Sequence, residues 1–195
     1  MLYKKLSDIA DVQSGLVLSR KESKLDSEQV IEYRNLNLRS ISDDGSISED
    51  ALEIYLADEK LESQFISAKE NIIIRLFPPF QPALITESST GLVIPSQFAI
   101  VRLRSNLVLP KFLYYYLAHA KLLESLAIRG SGKISGGIKI SALSEMKIPI
   151  PDLDKQRAVA NYSEINTIQK QLYSNLIQQY ELKMDAVMNK VIGGV

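Results

Sequence analysis

The chain of 195 residues contains no cysteine, no tryptophan and a single histidine, and its formal net charge is zero. Without cysteine it can form neither a disulfide nor a thiolate metal site, which fits a reducing cytoplasm. The single histidine, His119, disfavours a histidine-based zinc centre and a Ser-His-Asp triad. It lies within an apolar helical pattern, so we expect it to play a structural role.

Long hydrophobic runs are also missing from the sequence. No segment approaches the roughly 18 apolar residues of a membrane span, and the N-terminus lacks the apolar core of a signal peptide. We therefore expect a cytoplasmic protein with no membrane partner.

Catalytic signatures are missing as well. The sequence has no Walker-type phosphate loop, no glycine-rich dinucleotide turn after a suitable strand and no cluster of metal ligands. We therefore expect no catalytic residue, no metal site and no cofactor bound by this chain. An enzyme acting on a small molecule is the least favoured class, because no catalytic constellation is present.

The zero net charge conceals an uneven distribution. Residues 40–62, which we call the acidic segment, carry a net charge of −7, and the remaining 172 residues carry +7. A neutral total can therefore hide a basic face, and affinity for DNA depends on the local field. An acidic solvated loop beside an ordinary mixed surface explains the same distribution, so charge alone leaves both interpretations open.

Short strands precede helices in the predicted order of elements. A strand and a helical turn capped by Ser7 open the chain, and Pro110 suits the first turn of a helix that continues over Phe112–Ile128. Strands followed by helices predict an α+β fold with a β-rich globular domain over residues 1–150. The strand patterns cover residues 30–38, 52–56, 71–77, 83–86 and 97–103, and after the glycine loop 130–137 a helical turn at 141–145 leads to a last strand from Met146.

A single long helix is predicted for the C-terminal part, because no proline or glycine interrupts the pattern before Gly193. Its apolar residues recur in eight intervals over 29 residues, and a mean interval near 3.6 is the period of one helix face. We expect Asp154 to cap this helix, which from Asp154 to Val191 would be about 55 Å long. The residues of this stripe are Tyr162, Ile165, Ile168, Leu172, Leu176, Tyr180, Met184, Val187 and Val191.

The stripe requires a partner. Burying nine apolar side chains represents a gross term of about 15–25 kcal/mol, and the chain has no second segment of comparable length and period. We therefore predict that residues 151–195 form a dimerisation helix that packs against a second copy. The spacing favours a fairly straight helix pair over a strict heptad coil. A long helix folded back on its own domain is the alternative.

Several segments taken in order carry a resemblance to a known family. They are the opening Lys5–Gly15, the strand block Glu70–Glu87, the aromatic helix Pro110–Leu117 and, most specifically, Ser131–Ile140 followed by Leu143, Met146–Pro151, Leu153, Gln156 and Arg157. The series resembles one half of the specificity (S) subunit of type I restriction–modification systems, and the resemblance covers essentially the whole chain.

The resemblance implies a target recognition domain followed by a spacer helix. Members of the family carry two such domains and two antiparallel spacer helices in one polypeptide, whereas this sequence has one of each. It is therefore either a natural half-subunit or a fragment. A homodimer with antiparallel helices would read two identical half-sites in inverted orientation, about one to one and a half DNA turns apart.

The resemblance also implies partners. They are double-stranded DNA, a second copy of the chain, DNA adenine methyltransferase subunits and, for cleavage, a motor/nuclease subunit. S-adenosylmethionine and ATP would belong to those partner subunits. A dimerising adaptor that docks other proteins through its helical stalk, without binding DNA, is the alternative function.

Polar side chains on loops and strand ends are the candidate DNA contacts within this resemblance. Arginine and lysine suit guanine edges, and asparagine and glutamine suit adenine. The glycine loop could bring backbone amides close to phosphates beside Lys133, although a flexible connector explains it too, and Arg75 could equally be a buried ion-pair partner. The candidates are Arg20, Lys21, Arg34, Asn35, Arg75, Gln81, Arg129, Ser131, Lys133 and Lys139.

Overall fold

The computed structural model describes residues 2–23, 30–119, 122–131 and 136–193, and for 129–131 it describes the backbone alone. The chain divides into two compact units, Met1–Arg157 and Ala158–Val195. In chain order the strands and α-helices are β1 (Leu2–Lys5), α1 (Leu6–Ile9), β2 (Ala10–Ser14), β3 (Ile31–Asn35), β4 (Glu53–Ala57), β5 (Ile72–Arg75), β6 (Pro82–Leu84), β7 (Phe98–Leu103), α2 (Pro110–Ala118), α3 (Leu122–Ser131), α4 (Ile140–Ser144), β8 (Lys147–Ile150) and α5 (Leu153–Ile192).

The central feature of the globular unit is a four-stranded sheet in the order β2-β7-β5-β6. All of its neighbouring strands are antiparallel. Two smaller antiparallel pairs accompany it, β3 with β4 and β1 with β8. The predicted α+β class is therefore confirmed.

The central sheet is buried on both faces, which explains the unbroken apolar run in β5. Successive side chains of a strand point to opposite faces. Ile72 and Ile74 accordingly join the core formed with the helices, whereas Ile73 joins the second core on the other face together with Phe98. All four side chains have no solvent exposure. A strand covered on both faces needs apolar residues at consecutive positions.

The helical region after Pro110 differs from the prediction. Instead of one helix over Phe112–Ile128, α2 ends at Ala118 and α3 begins at Leu122. His119 is exposed and takes an extended backbone conformation at the end of α2, where it caps the helix. The prediction of a histidine inside a helix was therefore wrong. The residues on both sides of His119 are compatible with a helix, so the sequence gives no sign that the first helix ends there.

The remaining boundaries shift by a few residues. The first helical turn begins at Leu6 after Lys5, so Ser7 lies inside it and does not cap it. Helix α3 continues through Ser131, so the predicted glycine loop begins later than Gly130. The predicted turn at 141–145 is present as α4.

The long helix is present as α5, a helix of 40 residues and hence about 60 Å in length. Its first turn is capped by Asp152, whose Oδ1 accepts a hydrogen bond from the Lys155 backbone N–H at 2.9 Å. The predicted cap at Asp154 was wrong, since both aspartates suit a helix start but Asp152 alone precedes the first helical residue. Of the helices in the described part of the chain, none is both long and apolar enough to cross a membrane.

Candidate nucleic-acid interface and helical stalk

Carboxylates of the acidic segment form ion pairs with basic side chains from elsewhere in the globular unit. Lys21 forms an ion pair with Glu59, and Arg34 lies 3.7 Å from Glu49. The hydrogen bond to Glu59 raises the pKa of Lys21 above its usual value, so this lysine stays charged while its field is largely cancelled. Two of the candidate DNA contacts therefore already face carboxylates, although exposed pairs of this kind are weak and exchange readily.

A second group of candidates lies at the end of the β5–β6 hairpin, away from carboxylate partners. The Arg75 N–H donates to the Gln81 carbonyl at 3.0 Å, and the N–H of Ile138, next to Lys139, donates to the Leu76 carbonyl at 2.8 Å. These bonds bring Arg75, Gln81 and Lys139 to one edge, which we call the hairpin edge. Lys139 is exposed, and no carboxylate among the described residues forms an ion pair with it.

Close packing shapes the hairpin edge. A Cβ at Gly137 would lie 2.9 Å from a ring atom of Phe77 and 3.2 Å from the Leu76 carbonyl oxygen. Glycine therefore allows the segment that carries Lys139 to run directly against the hairpin. Phe77 itself is 47% exposed, so an apolar side chain lies beside the polar groups of the hairpin edge.

Arg75 has a largely structural environment. It is partly buried, and its NH1 group donates to the Leu38 carbonyl at 3.2 Å. Its Nε is buried and has no hydrogen-bond partner among the described residues. No carboxylate in that part of the chain forms an ion pair with it, so the alternative of a buried ion pair gains no support. The guanidinium instead ties the hairpin to the chain after β3.

The other candidates divide between the surface, the interior and the residues outside the description. Arg20 is exposed at the end of a short 3₁₀ turn. Asn35 is 4% exposed, and its side-chain amide donates to the Leu36 carbonyl, so it belongs to the interior and not to a DNA surface. Arg129 and Ser131 lie on α3 with side chains outside the described atoms, and Lys133 lies outside the described residues.

Gln156 is a structural residue that composition did not single out, although the family resemblance includes it. It has no solvent exposure. Its side chain accepts from the Leu109 N–H and donates to the Leu107 and Pro151 carbonyls, at 2.8, 2.8 and 2.9 Å. A buried amide with three partners holds the start of α5 to the residues before α2. An isolated glutamine in a polar sequence gives no signal of such burial.

The stripe on α5 is open to solvent in the isolated chain. Its nine residues are between 48% exposed at Leu176 and 74% exposed at Tyr162. Tyr173 and Ile177, which the sequence analysis left out, are 65% and 60% exposed on the same helix. They lie one position after Leu172 and Leu176, so a helical projection would have placed them at the flank of the stripe.

The described residues hold no group of three or more histidine, aspartate or glutamate side chains that could bind a metal ion.

A family model described as a type I restriction modification DNA specificity domain matches residues 2–182. Because the match covers nearly the whole chain, the chain belongs to this family, and the family predicted from the sequence is confirmed. No curated protein matches the chain.

Solved structures share the fold at low sequence identity. The HsdS subunit from Thermoanaerobacter tengcongensis is 14% identical with a TM-score of 0.65, over 100% of this chain and 49% of that chain. The S subunit of the type I system from M. genitalium is 20% identical with a TM-score of 0.58, over 97% of this chain and 45% of that chain. A chain from a structure of type I system assembly and conformational transition is 17% identical with a TM-score of 0.57, over 97% and 43%. This chain thus spans about half the length of these structures.

Proposed function

We propose that this chain recognises a DNA sequence for a type I restriction–modification complex and does so as a homodimer. The globular unit contacts one half-site, and α5 packs antiparallel against α5 of a second copy. The family match supports DNA recognition. The half-length coverage of the similar structures supports a requirement for two copies or two halves.

The exposed stripe carries the dimer proposal. Nine apolar side chains lie in water along one 40-residue helix, and their burial is worth a gross 15–25 kcal/mol or so. Association costs about 4–15 kcal/mol in lost translational and rotational freedom. The burial term is the larger of the two, so it favours a helix pair that covers most of the stripe.

A two-fold symmetric dimer determines the form of the DNA site. Each copy presents the same surface in the opposite direction, so the two half-sites are identical and inverted. Two globular units at opposite ends of a helix pair would place the half-sites about one to one and a half helical turns apart, at about 34–36 Å per turn.

The hairpin edge is the favoured DNA contact. Lys139 is exposed without a described carboxylate partner, which suits a phosphate contact. The Gln81 amide suits the donor and acceptor pattern of an adenine edge. Arg75 holds the hairpin in place through its hydrogen bond to the Leu38 carbonyl. Arg129, Ser131 and Lys133 precede Lys139 in the sequence and stay candidate DNA contacts on the family resemblance alone.

The bond-breaking and bond-making steps belong to partners in this proposal. Methyltransferase subunits that use S-adenosylmethionine modify adenine, and a motor/nuclease subunit that uses ATP acts in cleavage. The present chain selects the sequence and positions those subunits, without a catalytic residue or cofactor of its own.

A selection from random DNA duplexes tests the function. The purified chain, alone and with a cognate methyltransferase, is mixed with the duplexes, and bound DNA is separated by gel shift and sequenced. We expect an inverted bipartite motif with a constant spacer. Enrichment of a single half-site would overturn the dimeric arrangement. A lack of enrichment in both conditions would overturn DNA recognition and favour the protein-docking adaptor.

A further inference from the structure

Seven of the nine residues of the α5 stripe are placed symmetrically about Leu176, whereas Tyr162 and Val191 at its ends are not. Apolar residues occur at equal distances before and after Leu176, at four, eight and eleven positions. Separations of four, eight and eleven return to the same face of an α-helix. The three matched pairs are Leu172 with Tyr180, Ile168 with Met184, and Ile165 with Val187.

One pair of polar residues within the stripe obeys the same symmetry, whereas Tyr173 and Gln179, three residues before and after Leu176, do not match. Seven positions are two helical turns, so Gln169 and Lys183, each seven residues from Leu176, lie on its face of the helix. Both are exposed. A face that is symmetric in seven of its nine apolar positions and in this polar pair is suited to pairing with an identical face running the other way.

We propose that two copies pack with antiparallel α5 helices and with the two-fold axis at Leu176. This inference rests on the dimer of the proposed function and specifies its register. Leu176 meets Leu176 of the second copy, Leu172 meets Tyr180, and Ile165 meets Val187. Gln169 then meets Lys183, and its side-chain carbonyl can accept a hydrogen bond from the ammonium group.

Neighbouring registers place Gln169 or Lys183 opposite an apolar residue. With the axis moved by half a heptad, Leu176 faces Gln169 or Lys183. With the axis moved by two residues, Lys183 faces Ile165 or Tyr173. Burying an ammonium group without a partner is costly, and polar residues at core positions select register in helix pairs for that reason. The Leu176 register is the one that pairs Gln169 with Lys183.

This register determines how far apart the two helices begin. Leu153 precedes Leu176 by 23 residues, so the two copies of Leu153 are about 69 Å apart along the helix axes. Sliding one helix along the other by one turn would change this separation by about 5 Å. The register therefore contributes to the spacer length that the dimer accepts.

Distance measurements between spin labels test the register in the full chain. The chain has no cysteine, so Ser163→Cys and Asn189→Cys each provide one unique labelling position, 13 residues before and after Leu176. We expect the same intermolecular separation in both variants, with a component of about 39 Å along the axes. Because the label adds a similar length in each, the difference between the two values is the informative quantity.

Other arrangements give clearly different pairs of values. Moving the axis by half a heptad gives about 50 Å for one variant and about 29 Å for the other, which would overturn the register but keep the dimer. A parallel pair gives short separations in both variants and also overturns it. The absence of any intermolecular distance would overturn the dimer of the proposed function itself.

Disulfide formation provides a second measurement. Two copies of Leu176→Cys meet at the axis and should form a covalent dimer under mild oxidation, since bridged Cα atoms lie about 4.4–6.8 Å apart. In the matched variant Ile168→Cys the two thiols are about 24 Å apart along the axes and should stay reduced. Equal yields of covalent dimer from the two variants would contradict the register.

Discussion

The globular unit and the α5 stripe contain similar apolar side chains in opposite environments. Ile73 and Phe98 have no solvent exposure, whereas Leu172 and Tyr180 of the stripe are 60% and 64% exposed. The central sheet has a covering layer on each face, and each layer comes from the same chain. A lone helix offers one layer only, and a stable core needs at least two. The globular unit therefore completes its own core, whereas the stripe stays open to solvent in the single chain.

The largest expected effect is on dimerisation. Replacing Leu172 and Leu176 together by aspartate places four charges in the centre of the helix pair. We expect the dissociation constant to rise at least about a thousandfold, since central interface residues often contribute about 2 kcal/mol or more each. Light scattering should report a monomer. The control Ser174→Asp with Asn175→Asp adds the same charges off the stripe and should remain dimeric; a dimer in the Leu172 and Leu176 variant would show that the stripe is not the interface.

The next effect concerns the core of the globular unit. Phe98→Ala removes a fully buried ring between the sheet and its second core, and we expect a loss of about 3–5 kcal/mol in the free energy of unfolding. Denaturant unfolding followed by circular dichroism measures it. The matched change Tyr180→Ala on the stripe should leave the unfolding of the globular unit unchanged and weaken the dimer. An equal loss of unfolding free energy in the two variants would contradict the view that the globular unit is stable without the stripe.

A smaller loss is expected where α5 begins. Gln156→Leu keeps the volume of the side chain but leaves the Leu109 N–H and two carbonyls without their partner. Unsatisfied buried groups cost about 1–3 kcal/mol, which thermal unfolding of the globular unit would detect. Arg157→Leu, beside it on the exposed side of the helix, should change the melting temperature little. A Gln156 variant as stable as the wild type would show that these hydrogen bonds do not hold the helix start.

The smallest effect separates DNA contact from dimerisation. Lys139→Ala should weaken binding to all DNA sequences by a similar factor and reduce the slope of log K against log salt by about one, because one phosphate contact is lost. Lys21→Ala should change the slope less, since Glu59 already cancels the Lys21 charge. Salt titrations of DNA binding measure both slopes, and light scattering should show intact dimers. A larger effect from Lys21 would move the DNA surface from the hairpin edge toward the acidic segment.

The long helix was predictable because its signal is local and repeated. A period near 3.6 continues over the stripe, and no proline or glycine interrupts it. The strands were predictable for the same reason, since runs such as Ile72–Ile74 between turn residues indicate buried strands. The break at His119 was not predictable, because residues on both sides of it are compatible with helix and only packing makes the chain turn.

The candidate site could be predicted only as a set of residue types. The sequence names Lys21, Arg34, Gln81 and Lys139 as polar groups near turns and strand ends, but it does not say which carboxylates they face. Pairing of β3 with β4 places Arg34 near Glu49, and the contact between Lys21 and Glu59 joins residues 38 positions apart. Such partners follow from the way strands assemble, which depends on contacts far apart in the chain.

The family, the α+β class, the long amphipathic helix and the residues of its stripe can be read from the amino-acid order alone, because each depends on local order and periodicity. The folded structure was needed to show that Asp152 caps the helix, that Asn35 and Gln156 are interior, and that Lys139 at the hairpin edge is exposed without a carboxylate partner among the described residues. Burial and charge pairing depend on which residues from distant parts of the chain come into contact, so they cannot be read from any single position in the sequence.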